Sequence, residues 1–405
     1  MADDLGFADT SLYGRTDYRT PVLDQLAREG VRLTDAYSSA PVCSPTRVAL
    51  LTGRYPARYA VGLLEPLTTQ ATGLPADPPT LPRLLRDAGY ETALVGKWHL
   101  GAPDAYRPGS HGFDVFFGFL GSSDDYVSHV GTESLEHDLW DGTRSVRTGG
   151  YLTDLFTDRA VAFIERPRDT AFFLSLQYNA PHWPWQAPGD PVYPDSLRWK
   201  RGGSAETYAR MVLSMDDGIG RVLEALRRAG LENDTLVIFT SDNGGEVFSD
   251  MGPFANGKMT LWEGGIRVAA FARWPGVIPA DTTSRQACAT MDWAATLLAA
   301  GGAAADARAP LDGIDLMPML TGGPVVPRDL YWRTFQRTRH KALRSGDWKY
   351  LVTEDGARLF DLASDPGETS DLAASRRDDF QRLETLYADW ERDMLEPVPL
   401  DPRFA

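Results

Sequence analysis

Apolar positions along this chain follow two spacings. Residues 31–37 and 91–95 read as strands, the largely apolar 171–176 and 235–240 as buried strands, and helix-spaced stretches lie between them. Thr20-Pro21, Leu23, Leu26 and Gly30 mark a helix: Thr suits the cap, Pro the first turn and Gly the stop. Residues 80–88, closed by Gly89, repeat that signal. Residues 205–229 predict a long helix with Tyr208, Val212, Met215, Ile219, Leu223 and Leu226 on one face. Strands alternating with helices predict an α/β fold, with a mostly parallel central sheet covered by helices on both faces. Beyond residue 325 the pattern changes. Residues 330–333, 340–344, 348–352 and 358–362 read as short strands between turns, and 378–395 as a closing helix. The expected organisation is an α/β domain over 1–325 and a smaller antiparallel sheet with a helix over 326–405. Loops at 301–309 and 322–327 fall near that boundary.

Polar motifs cluster just past the predicted strand ends. Lys97 and His99 follow the second strand, residues 179–182 the third, and Asp242 and Asn243 the fourth. Open α/β sheets bind ligands beyond the carboxyl ends of their strands, so these distant segments are expected to converge on one edge. Asp3, Asp4, Asp242 and Asn243 supply three carboxylates and an amide oxygen, a hard donor set that suits Ca²⁺ or Mg²⁺ rather than zinc. Taken separately, such pairs are common in surface turns. Arg47, Lys97, His99, His182 and Lys258 are the cationic or proton-carrying candidates. Gly257-Lys258 and Glu263-Gly264-Gly265 frame one glycine-bounded loop.

Composition narrows the function. The chain has 405 residues and a formal net charge of −15, which argues against a nucleic-acid partner. No run of about 18 apolar residues predicts a membrane span; the most apolar stretch, 293–305, is short and rich in Ala and Gly. The 2 cysteines, Cys43 and Cys288, are too few for a disulfide scaffold. Neither cysteine usage nor a visible leader identifies a compartment.

Cys43-Ser44-Pro45-Thr46-Arg47 fits Cys-x-Pro-x-Arg, the pattern that marks a cysteine for oxidation to formylglycine in type I sulfatases. Further motifs follow in order: Ala2-Asp3-Asp4-Leu5-Gly6, Gly96-Lys97-Trp98-His99-Leu100-Gly101, Asn179-Ala180-Pro181-His182, Ser241-Asp242-Asn243-Gly244-Gly245, and Lys258 with Glu263-Gly264-Gly265. On these residues the chain resembles a type I, arylsulfatase-like sulfatase of the alkaline phosphatase superfamily over nearly its full length. Arg344 to Tyr350, Leu359-Phe360-Asp361-Leu362 and Asp365-Pro366-Gly367-Glu368 are similar to that family's small C-terminal domain.

The resemblance implies hydrolysis of an aryl or glycan sulfate monoester. Asp3, Asp4, Asp242 and Asn243 would bind one Ca²⁺ (or Mg²⁺), with the formylglycine made from Cys43 completing the shell. Arg47 and Lys97 would hold that residue, while Lys97, His182 and Lys258 would bind the sulfate oxygens. His99 would act on the second hydroxyl of the aldehyde hydrate. The implied partners are a small sulfated substrate and a formylglycine-generating enzyme. Residues 121–129 and 182–185 resemble arylsulfatases that remove the 4-sulfate of N-acetylgalactosamine, and Trp183 and Trp185 read equally as ring-stacking or core residues. The family also has a central strand directly before the Asp-Asp pair, so an apolar strand is expected upstream of Met1. A phosphodiester or phosphonate hydrolase of the same superfamily, and an inactive sulfatase-like binding protein, are the alternative readings.

Overall fold

The computed structural model describes residues 1–66, 68, 70–192, 202–334 and 338–396. Its centre is two sheets side by side. The first has the strand order Arg144–Ser145, Trp140–Asp141, Val115–Phe119, Glu91–Lys97, Phe172–Gln177. Glu91–Lys97 runs parallel to both of its neighbours. The second has the order Thr282–Ser284, Val31–Leu33, Ala270–Arg273, Val237–Thr240. Here Ala270–Arg273 is antiparallel to both of its neighbours, so this half of the sheet system is mixed.

Met1 to Asp3 join the two sheets. The Met1 amine donates to Leu176 O at 2.8 Å, and Met1 O accepts from Tyr178 N at 3.1 Å. Ala2 bonds the other way, donating to Thr240 O at 2.9 Å and accepting from Asp242 N at 3.2 Å. The alternation is that of a parallel strand, and it places Asp3 and Asp4 level with the ends of Phe172–Gln177 and Val237–Thr240.

Helices cover both faces. Pro21–Arg28, Leu152–Glu165 and Ala205–Arg228 pack over one, burying Leu23, Leu26, Phe156, Tyr208 and Met215 with Val95, Phe119, Phe239 and Phe271. Cys43–Thr52, Leu81–Asp87 and Thr290–Ala300 pack together elsewhere against the sheets. Each large side chain sealed in this way contributes roughly 1.5–3 kcal/mol. No helix among the described residues is long and apolar enough to cross a membrane.

The C-terminal strands Asp329–Arg333, Lys341–Ser345, Trp348–Thr353 and Gly356–Asp361 form an antiparallel meander. Their period-two pattern serves two layers. Leu330, Trp332, Ala342, Leu351 and Phe360 face Tyr37, Ala49, Leu261 and Ile266 of the larger part. Leu343, Tyr350 and Leu359 meet Leu383 and Tyr387 of the closing helix Arg377–Glu391. Residues 397–405 of the expected C-terminal unit lie outside the described residues.

Most predicted elements are present within a residue or two, but the predicted strand 31–37 splits. Val31–Leu33 and Ala36–Tyr37 pair in different sheets. Between them, Asp35 turns its carboxylate to Arg267 and to Arg344, 2.7 Å away. The helix Leu152–Glu165 and the strand Ala270–Arg273 were not among the predicted elements.

Candidate active site

Position 43 opens the helix Cys43–Thr52, whose cap residue Val42 makes no side-chain cap. Ser44 Oγ donates to His99 O at 2.7 Å and Thr46 Oγ1 to Ala40 O at 3.0 Å, which fixes this first turn against the segment after strand Glu91–Lys97. Lys97 ends that strand. The preceding Gly96 has φ 111°, and a Cβ there would stand 1.9 Å from Gln177 O. Only glycine allows the approach.

The expected residues converge. The ligand atoms of Asp3, Asp4, Cys43 and His182 all lie within 4.8 Å of one another, and all four residues are buried. Lys97 Nζ is 2.6 Å from Asp3 Oδ2. Lys258 Nζ is 2.7 Å from the Asp4 carboxylate, and His182 Nε2 is 3.5 Å from Asp4 Oδ2. Arg47 reaches Asp242 Oδ2 at 3.0 Å, Lys97 O at 3.1 Å and Gln177 Oε1 at 3.2 Å. Asp4 N donates to Asp242 Oδ1 at 3.2 Å. The Cys43 thiol lies 3.4 Å from Asp3 Oδ1. Asp4 and His99 both take left-handed backbone, φ 64° and 55°, which is uncommon for non-glycine residues and clusters at functional sites.

Electrostatics mark the same place. Burial pushes the Asp3 carboxyl up to about 8, with Asp242 adding to the effect, and pushes Asp4 up to about 6 against the pull of Lys258. Burial also opposes ionisation of Asp242, yet Arg47 and Lys97 hold it below its usual value. The Cys43 thiol is raised well above its usual range by burial, then by Asp242 and Asp3. Burial lowers the His99 imidazole strongly, and Lys97, Arg47 and Lys258 act in the same direction.

The donor set fits a hard divalent cation. Asn243 Nδ2 is committed to Asp4 Oδ1 at 2.7 Å and Gly244 O at 2.9 Å, which leaves Oδ1 buried without a partner. Three crowded carboxylates beside an unpaired amide oxygen form an all-oxygen site.

The model of the Sulfatase family matches residues 1–303 of the chain. The chain belongs to the sulfatase family. It is an enzyme that hydrolyses sulfate esters. N-acetylgalactosamine-6-sulfatase of Rattus norvegicus is 35% identical over 358 residues, covering 82% of this chain and 67% of that protein. Steryl-sulfatase of Mus musculus is 31% identical over 494 residues, covering 92% and 77%. Among solved structures, Ps i-CgsB in complex with k-i-k-neocarrahexaose superposes on this sulfatase with a TM-score of 0.90 at 30% identity, over 99% of this chain and 93% of that one. PsFucS1 sulfatase from Pseudoalteromonas sp. gives 0.79 at 26% identity, over 96% and 88%.

Gln177, Glu65 and Glu246, which stand in this candidate site, carried no sequence signal, whereas Tyr126 lies in the segment 121–129 already singled out. Gln177 Oε1 accepts from Arg47, and the Tyr126 hydroxyl shares its proton between Asn179 O at 2.7 Å and His182 O at 2.9 Å, fixing the loop that presents His182. Glu65 and Glu246 stand beside Cys43 and Lys258. Trp183 and Trp185 are both buried in the main core; the Trp183 ring lies 5.2 Å from that of His182, and Trp185 meets Phe248 edge-on.

Proposed function

We propose that this sulfatase cleaves a glycan or aryl sulfate monoester at residue 43 once Cys43 has been oxidised to formylglycine. Asp3, Asp4, Asp242, Asn243 and residue 43 would hold one Ca²⁺ or Mg²⁺. The observation that carries the reading is the buried, unpartnered Oδ1 of Asn243, whose Nδ2 is 2.7 Å from Asp4 Oδ1, together with the Cys43 thiol 3.4 Å from Asp3 Oδ1. The similarity to N-acetylgalactosamine-6-sulfatase and to a structure holding a neocarrahexaose supports a sulfated glycan.

The bound cation supplies positive charge that polarises the ester and stabilises the charge developing on its oxygens. An aldehyde hydrate at 43 supplies two hydroxyls, one to displace the alcohol from sulfur and one to release sulfate afterwards. Lys97 and Lys258, which neutralise Asp3 and Asp4, would turn to the sulfate oxygens when the carboxylates are otherwise engaged. His182 or Lys258 would protonate the departing alcohol. His99, whose Nδ1 has no partner, would take the proton from the second hydroxyl. Arg47, tied to Asp242 and Gln177, holds the first turn of the nucleophile helix in register.

In this reading residues 1–325 carry the chemistry and 326–405 brace the loop that bears Lys258. Glu263, at the end of that loop, is bonded by Lys349 Nζ at 2.9 Å. The test is mass spectrometry of the Cys43 peptide from protein made with a formylglycine-generating enzyme, alongside sulfate release from an aryl sulfate. Turnover should rise in proportion to the peptide lighter than cysteine. Full turnover by the unmodified thiol would overturn the assignment.

A further inference from the structure

One charged side chain beside position 43 has no role in the scheme above. Glu65 follows the short turn Ala60–Gly62, and its Oε1 accepts the Ser44 N–H at 3.0 Å. It thus caps, from outside, a helix that lacks a side-chain cap of its own, and a carboxylate suits that positive end. The same carboxylate has an oxygen within 4.8 Å of Cys43 Sγ and of a ring nitrogen of His99. His99 is buried, and its Nδ1 has no hydrogen-bond partner. Polar atoms at such spacings are suited to sharing one oxygen atom between them, about 2.8 Å from each. Cys43 and His99 are sealed from solvent, whereas Glu65 is half-buried.

The surroundings are acidic as well. Glu133 Oε2 accepts from Thr68 N at 3.2 Å, and Asp124 is fully buried with neither oxygen partnered. Burial raises both carboxyls, with Glu65 among the charges acting on Glu133 and Glu133 among those acting on Asp124. Acidic side chains are therefore gathered along this wall, with burial favouring the protonated forms of Glu133 and Asp124, while the nearby cations Lys97, Lys258 and Arg47 are engaged by Asp3, Asp4 and Asp242.

We propose that Glu65 reads the substituent next to the scissile ester: it accepts a hydrogen bond from a free neighbouring hydroxyl and excludes a second anionic group there. The inference rests on the proposed sulfate site at residue 43 and narrows its substrate to a monosulfated sugar or aryl ring with a free vicinal hydroxyl. An ionised carboxylate only accepts hydrogen bonds, so it favours a donor, and a vicinal sulfate or carboxylate meets like charge.

The experiment uses Cys43→Ala protein with Ca²⁺, titrated calorimetrically with 2-hydroxyphenyl, 2-methoxyphenyl and 2-carboxyphenyl sulfate. The hydroxyl ester should bind tightest and the carboxylate ester weakest. Adding Glu65→Gln keeps an oxygen for Ser44 N–H but removes the charge, and should narrow that span by about tenfold. Melting temperatures of Glu65→Gln and Glu65→Ala report the capping role separately. A Glu65→Gln change that shifts all three esters by one common factor, or none of them, overturns the inference and leaves the sulfate site standing. Failure of every ester to bind both the Cys43→Ala protein and the unmodified protein that keeps side chain 43 overturns the sulfate site itself.

Discussion

Two buried clusters in this protein each set three acids against three bases. In the candidate active site they are Asp3, Asp4 and Asp242 with Arg47, Lys97 and Lys258. Between the larger part and the C-terminal sheet they are Asp35, Glu263 and Glu368 with Arg267, Arg344 and Lys349. The second cluster interleaves its signs. Lys349 Nζ sits 2.9 Å from Glu263 and 2.7 Å from Glu368, Arg267 reaches Glu263 at 3.1 Å, and the Tyr37 hydroxyl adds a further bond to Glu263 at 2.7 Å. Burial opposes ionisation of Glu263, but Lys349, Arg267 and Arg344 hold it at about 2. Glu368, which meets Lys349 and is pressed by Glu263, is pushed up to about 7 by burial. In the first cluster acids press on acids: Asp242 and Asp4 both raise Asp3, and Asn243 Oδ1 and His99 Nδ1 lack partners. Equal charge counts therefore produce different objects. The second cluster sets a base beside each acid, Lys349 lying 2.7 Å from Glu368 Oε1 even though that oxygen makes no hydrogen bond, whereas the first leaves Asn243 Oδ1 and His99 Nδ1 with capacity for a ligand.

The contrast can be broken in order of expected effect. Cys43→Ala should cut sulfate release by about 10³-fold or more while leaving the melting temperature of the cation-free protein nearly unchanged, because the nucleophile and one cation ligand are lost but no packing partner of size. Lys349→Met should cost about 3–5 kcal/mol in denaturant melts, since it strands two buried carboxylates. Turnover per folded molecule should survive; if it falls as far as in Cys43→Ala, the two clusters are not separable. Ca²⁺ at a hundredfold excess over its Kd should stabilise the protein by about 2.7 kcal/mol. In Asp3→Asn that increment should vanish, and a persistent increment would place the cation elsewhere.

The smallest effect concerns acid. Glu263 titrates at about 2 when folded and from a usual value of 4.5, so the folded state binds fewer protons between those values. Its contribution is complete above about pH 4.5 and drains away as the pH falls toward 2. Melts from pH 5 to 2.5 should thus fall more steeply for the native protein than for Glu263→Gln. Parallel slopes would mean that the bases do not hold Glu263 ionised.

The site was legible in the sequence because its members occupy strand ends, where local spacing predicts position. Lys97, His182, Asp242 and Asn243 each follow a run that reads as a strand, and the structure places all of them together. Direction was less legible. A short strand such as Ala270–Arg273 looks the same in sequence whether it pairs parallel or antiparallel. The broken strand at Thr34-Asp35 was hidden because its cause, Arg344, lies 309 residues away. Glu65 carries no motif at all; it matters only through a tertiary contact with Ser44.

The backbone of Met1 to Asp3 bonds to Leu176, Tyr178 and Ala180 on one side and to Thr240 and Asp242 on the other. Asp3 and Asp242 thus belong to opposite banks of one seam, and any ion shared between them would act as a rivet across it. The chemistry and the mechanical closure of the sheets would then be a single event, visible as slowed amide exchange at 176–180 and 240–242 when the ion binds.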